Sequence, residues 1–347
     1  MNNENEKFET DISVQTHMRV HCLGGGLVGL FVTRKLVEAD FDVHLFDIVH
    51  RQTPAQFHHQ SALDADHHLA DLIINMVPGS FGHEIIDALK DTGQRIIDLS
   101  FSEITPDVHQ HTTSPILWDV GIAPGLSNML VSLAQREHET LDEVSIKVGG
   151  NPAVPDEEWS YMAPFSPHDV IAEYTRPARI LREGVAVDVP AMSELHQIDA
   201  NGRTMEAFLT DGLRSLLSLP ATKMGEYTVR WPGHIQRFQS STLHPDQLVE
   251  AWAFDTHRDE FTWMEVRVQS GQTEHLWVIE DKGLDGDSSM ARTTGLVTYC
   301  CALAWRNQEL FTSGVHAPEE LPSDVINMVI ETLKAEGVAI NYTLRHD

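Results

Sequence analysis

Cysteine is nearly absent. Three residues in 347, Cys22 and the adjacent Cys300 and Cys301, cannot build a disulfide framework or a four-thiolate metal site, and they fit a reducing compartment. Basic residues are also scarce: 24 lysines and arginines stand against 52 acidic residues. The formal charge of -28 argues against partners that are themselves polyanions, nucleic acid and anionic membrane surfaces alike. No apolar run reaches the roughly 18 residues that a membrane span needs. The opening stretch MNNENEKFETDISVQTH is polar and acidic, where a signal peptide is basic and then apolar. The expectation is a cytoplasmic protein with a loose tail over residues 1–17. Aromatic residues make up only 7%, yet 41% hydrophobic content in a chain of this length is enough for two cores, hence two domains.

What is present begins with alternating elements. Met18 to Leu23 reads as a strand; a glycine turn follows, then apolar residues at helical spacing (Leu27, Leu30, Phe31, Leu36, Val37) and a second strand, Val43 to Phe46. Further apolar runs at Leu72 to Val77, Arg95 to Leu99 and Ile116 to Val120, with a helix at Phe81 to Lys90, imply a Rossmann-type doubly wound parallel sheet over residues 18–125. Beyond Leu141, runs rich in β-branched residues (Val144 to Val148, Thr228 to Trp231, Phe261 to Gln269, His275 to Ile279) predict a second, α+β domain with a mainly antiparallel sheet, residues 126–285. Helices at Ser289 to Arg306 and Ser323 to Glu336 close the chain.

The turn GGGLVG sets Gly24, Gly26 and Gly29 at the spacing G-x-G-x-x-G between strand and helix. In that setting the first glycine allows a tight turn, the second lets a pyrophosphate approach the backbone, and the third lets helix and strand pack closely. The phosphates rest on free N–H groups at the helix start, where Leu27 and Val28 lie. A purely structural turn is the alternative. Asp47 ends the second strand 18 residues after Gly29, near the usual offset of about 20, where a carboxylate bonds a free ribose hydroxyl and repels a 2′-phosphate. NAD is therefore expected over NADP, with Arg51 the residue able to accommodate NADP. Asn75 and Pro78, at the end of the run from Leu72, complete the expected cofactor contacts. The histidine pairs (58/59, 67/68, 109/111) lack metal-ligand spacing, and no metal is expected.

Longer strings carry a resemblance. INMVPGSFGHEII (74–86), DVGIAPGLSN (119–128) and SIKVGGNP (145–152) resemble the saccharopine dehydrogenase-like oxidoreductases. AEYTRPARILREG (172–184), EAFLTDGLRSLL (206–217), YTVRWPGH (227–234) and SSMARTTG (288–295) are similar, within that family, to lysine 6-dehydrogenases. The resemblance implies C-terminal helices (286–347) that pack back on the nucleotide-binding domain and a homo-oligomer, a dimer above all. Its implied reaction is NAD-dependent oxidation of an amino-acid amine, with lysine attacked at its 6-amino group and the product cyclising. Related readings are a saccharopine or carboxynorspermidine dehydrogenase and, in a different class, a sensor that binds NAD or an amino acid without turnover. Saccharopine reductases carry Asp in a G-x-D-P-G string where this chain has Ala123, which counts against saccharopine. The segment PDEEWS (155–160) departs from the family pattern.

Asp119, at the carboxyl end of the sheet, is the candidate to attract the substrate ammonium or take its proton, or else a cap on the turn that follows. His234 is a candidate acid or base. Arg230, then Arg176, are candidates for a carboxylate clamp, and Arg214 is the third cation in the matching strings; ion pairs with neighbours such as Glu173 or Asp211 are the alternative. Gly149 and Gly150 present backbone to substrate or form a plain turn. Phe101 lies near substrate or serves the core. Cys300 and Cys301 read as small buried hydrophobes on a helix.

Overall fold

The computed structural model describes residues 17–109 and 111–346; apart from His17, the tail expected over residues 1–17 lies outside them. The first region runs β1 (Arg19–Leu23), α1 (Leu27–Glu38), β2 (Asp42–Asp47), β3 (Gln56–His59), β4 (Leu72–Asn75), α2 (Gly79–Leu89), β5 (Arg95–Asp98), β6 (Pro115–Leu117) and α3 (Ser127–Gln135). The second contains β7 (Leu141–Pro152), α4 (Pro167–Thr175), β8 (Ala178–Arg182), β9 (Val185–Val189), β10 (His196–Ala200), β11 (Arg203–Leu209) and β12 (Ala221–Arg230). It continues with α5 (His234–Ser240), α6 (Pro245–Ala251), β13 (Glu260–Ser270) and β14 (Thr273–Lys282). The chain ends with α7 (Ser289–Asn307), β15 (Gly314–His316), α8 (Ser323–Ala335) and β16 (Ala339–His346).

The first sheet is wholly parallel, in the order β15-β6-β5-β4-β1-β2-β3. The short apolar runs that form its centre are buried on both faces, as helix-covered parallel strands must be. Ile73 and Ile96 pack with Ile85 and Ile86 of α2 on one face; Leu72, Ile74 and Ile97 join the core of Phe31, Val32 and Leu36 from α1 on the other. Strand order reverses between β1 and β4, which opens a crevice at their carboxyl ends.

The second sheet runs β10-β11-β12-β7-β13-β14-β16, with β8 and β9 attached to β12. It is antiparallel except where β12 runs parallel to β7. Its inner residues Val144, Ile146, Met264 and Val266 share one apolar cluster with α1, α3, α7 and α8, so the two sheets bury a common core. α7 lies against α1, where a β-carbon on Gly295 would come within 2.4 Å of the Phe31 ring. Cys22, Cys300 and Cys301 are buried free thiols inside this core. Among the described residues no helix is long and apolar enough to cross a membrane.

Strands β3, β8–β11 and β16 have no counterpart in the expected elements. The residues of β3, β9, β10 and β16 are mostly polar or part-exposed and lack the apolar runs that mark buried strands, whereas in β8 and β11 the buried apolar residues are interrupted by arginine, threonine and glutamate. β15 adds a further parallel strand to the first sheet from the far end of the chain.

Candidate active site

The glycine turn sits in the crevice. Gly24 adopts φ +98°, and a β-carbon there would meet the Met76 carbonyl at 2.7 Å; one on Gly29 would lie 2.0 Å from the Gly24 carbonyl. These two glycines are required by the fold itself. Gly26 is different: it is exposed at the start of α1, and a β-carbon on it would meet nothing within 4 Å. No side chain caps α1 and its first turn holds no acid, so the early N–H groups around Leu27 and Val28 face an open cradle of the kind that takes a pyrophosphate. The residues present thus fit a dinucleotide.

Asp47 stands beside this cradle. Its carboxylate accepts from the backbone N–H of Gly25 and Val49, both at 2.7 Å, and lies 3.3 Å from Arg51 Nε. Pro78 is exposed just before α2. Asn75, expected among the cofactor contacts, is buried; its Nδ2 donates to Asp98 Oδ1 at 2.8 Å, and its Oδ1 has no partner among the described residues. Burial pushes Asp98 up to about 7, against hydrogen bonds from Ser100.

Asp119 follows β6 with φ +57° and is 3% exposed. It does not cap the turn: both its oxygens lie 2.8 Å from Nε of Arg214, whose Nη1 donates to the Ser102 carbonyl at 2.8 Å. Arg214 comes from a tight turn of the second region, so this buried ion pair joins the two halves of the molecule. Burial raises the Asp119 carboxyl above its usual range, and the adjacent guanidinium opposes the rise.

Phe101 lies beneath two guanidinium groups, 4.2 Å from Arg176 and 4.7 Å from Arg214, rather than in the core. Arg176 contacts Asp211 at 3.4 Å, but Asp211 is engaged by both Nε and Nη2 of Arg179 at 2.8 and 2.9 Å. Nη2 of Arg176 and Nη2 of Arg214 are buried donors without a partner among the described residues, and Arg176 Nε has only its 3.4 Å ion-pair contact with Asp211 and no hydrogen bond. Such donors are costly unless something anionic arrives. α4 closes the site from above, with Asp169 accepting from Gly79 N–H at 3.2 Å.

Arg230 and His234 belong elsewhere. Arg230 Nε donates to the Tyr174 hydroxyl at 2.7 Å, that hydroxyl lies 3.2 Å from His234 Nε2, and His234 Nδ1 lies 3.0 Å from the Trp159 carbonyl. With Nδ1 protonated and donating to Trp159, the chain of bonds is complete. His234 is 2% exposed, and burial, aided by Arg230, pushes it down to about 3. The expected acid–base role does not fit a neutral imidazole sealed among Trp159, Tyr161, Tyr174 and Trp252. It holds Tyr174 and, through it, Arg230. The divergent segment PDEEWS supplies the Trp159 carbonyl for this chain. The alternative of a turn at Gly149 and Gly150 also falls: both lie inside β7, where their lack of a side chain admits the Val229 carbonyl and Pro164 respectively.

The site residues that sequence reading passed over are Asp98 and Asp169. Arg214 stood in a matching string as the third cation, but nothing local marked it as the partner of Asp119.

The saccharopine dehydrogenase C-terminal domain model matches residues 121–338, more than half of the chain. Apo saccharopine dehydrogenase (L-Glu forming) from Saccharomyces cerevisiae superposes with a TM-score of 0.71 at 13% identity, covering 94% of this chain and 100% of that one. A WlbA dehydrogenase from Chromobacterium violaceum, solved with NADH and UDP-GlcNAcA, aligns over 95% of this chain and 97% of that one, at 10% identity and a TM-score of only 0.41. The extent of the family match, on a fold shared with the yeast enzyme, means that this chain belongs to the saccharopine dehydrogenase-like family of oxidoreductases.

Proposed function

We propose that this protein is an NAD-dependent dehydrogenase that oxidises an amine carbon of a small amino acid, with the 6-amino group of L-lysine the leading target. The observation that carries the reading is the meeting of Asp119 with unpartnered, buried guanidinium N–H groups of Arg176 and Arg214, at the carboxyl end of the parallel sheet that holds the glycine cradle.

The chemistry needs three things from the chain: a grip on the carboxylate end, removal of a proton from the ammonium, and exclusion of water. Arg176 offers its free Nη2, beside an Nε held only at 3.4 Å by Asp211, to the substrate carboxylate, a better match than Arg230, whose Nε is committed to Tyr174. Asp119, with a carboxyl raised by burial, takes the ammonium proton, and Arg214 holds that carboxylate in place. Phe101 and Trp118 pack against the guanidinium groups and keep bulk water out. NAD, when bound, supplies the hydride acceptor. Leu27 and Val28 N–H groups would hold its pyrophosphate and Asp47 its ribose; Arg51, 3.3 Å from Asp47, is the group that would favour NADP. The family resemblance supports a cytoplasmic location and a homodimer, the latter tested by sedimentation of the purified chain.

A second reading, a substrate with two carboxylates such as saccharopine, is favoured by one observation: two guanidinium groups, not one, have free donors. The test is reduced-nicotinamide formation with NAD or NADP against lysine, ornithine, saccharopine and polyamines at mildly alkaline pH. Turnover with lysine and NAD supports the first reading, and turnover with saccharopine alone replaces it by the second. Cofactor binding without turnover of any amine would leave a sensor.

A further inference from the structure

We propose that Glu137, His138 and His275 form a binding site for a divalent transition-metal cation of the zinc class, remote from the candidate active site. The three residues each offer one ligand atom, and these atoms all lie within 4.8 Å of one another. The two imidazole Nε2 atoms are 3.2 Å apart. Two nitrogens bound to one tetrahedral zinc at 2.0–2.1 Å stand about 3.3 Å apart, so the rings already have the separation that a shared cation imposes. Two imidazoles with one carboxylate suit zinc, nickel or copper more than calcium or magnesium, with water completing the shell.

The surroundings match a ligand site. His275 lies on β14, 1% exposed, and its other ring nitrogen, Nδ1, faces the Tyr342 hydroxyl on β16 at 2.9 Å. That is the second contact by which metal-bound histidines are held in one tautomer and orientation. Trp277 and Tyr342 stack beside the ring and restrict it further. His138 is half-buried and Glu137 exposed, which leaves the entry open to solvent.

Glu137 and His138 lie in the turn between α3 and β7, so a bound cation would clip the end of α3 to the outer strands of the second sheet. The turn carrying Asp119 lies before the other end of α3, nine residues away along the helix Ser127–Gln135. The ligands come from positions 137 and 138 on one side and 275 on the other, and no sequence spacing would bring them to notice.

The full-length chain, stripped with a chelator, is titrated with zinc by calorimetry and with cobalt by visible absorption. The expected result is one equivalent of zinc per chain, cobalt absorption of the tetrahedral type, and a melting temperature raised by zinc. His138→Ala and Glu137→Gln should each weaken binding at least about tenfold. The exposed His244, far along the chain, is the control: His244→Ala should bind as the unaltered protein does. Because Glu137 is exposed, its conservative variant keeps the test valid if His138→Ala folds poorly. Absence of zinc binding, or binding unchanged in both variants because other histidines account for it, overturns the proposal.

Discussion

The most demanding test of the site is to remove the cation that holds Asp119. Arg214→Met keeps most of the side-chain length while deleting the charge, and leaves a carboxylate with 1% side-chain exposure without its partner. Breaking one half of a buried ion pair costs about 3–5 kcal/mol, mostly from the stranded charge. With a urea dependence of ~1–3 kcal/mol per molar, the unfolding midpoint should fall by at least about 1 M at neutral pH. The pH dependence has a definite sign. Asp119 already has a folded-state pKa above its unfolded value, so the folded state holds the extra proton between the two and stability falls as pH rises through that window. Losing Arg214 removes a group that lowers this pKa and widens the window upward. The gap between variant and parent should therefore narrow as pH is lowered and the carboxylate becomes neutral. Asp119→Asn combined with Arg214→Met should recover much of the loss. A midpoint shift equivalent to less than about 1 kcal/mol, or a double variant as unstable as the sum of the singles, would show that the pair carries no coupling.

Asp119→Asn alone should lower turnover at least about a hundredfold while NADH affinity, followed by fluorescence, stays as it was; unchanged turnover would remove Asp119 from proton transfer. Gly26→Val and Gly29→Ala should separate: the first meets open space and folds but no longer binds dinucleotide, whereas the second forces a β-carbon to 2.0 Å from the Gly24 carbonyl and destabilises the whole turn. Equal losses of stability would contradict this, as read from melting curves. Asp47→Ala should weaken NAD more than NADP, and an equal effect on both would sink the ribose assignment. The nucleotide-binding half should lose stability in mild acid, because His21 is pushed down to about 4 by burial and by His67, with His58 and His67 also lowered. These groups take up protons more readily unfolded than folded, so the stability is present above about 6.5 and falls as pH drops toward 4. His21→Leu should flatten that slope, and a slope unchanged by the substitution would locate the acid sensitivity elsewhere.

What the sequence by itself determined is what depends on neighbours along the chain. The strand, glycine turn and helix from Arg19 to Glu38 are legible because each rests on spacing within a few residues, as do the position of Asp47 at the end of β2 and that of Asp119 just past a strand end. The long helix from Ser289 is legible for the same reason. Only the tertiary structure decided which of three arginines serves Asp119, since Arg214 lies 95 positions away. It likewise decided that Asn75 turns inward to Asp98, and that His234 is locked against Trp159, 75 positions earlier. It also brought His138 and His275 together across 137 positions. Local pattern reflects backbone geometry and the period of burial, both short-range. The partner of a buried charge is set by which surfaces meet when two sheets share a core, and only the fold decides that.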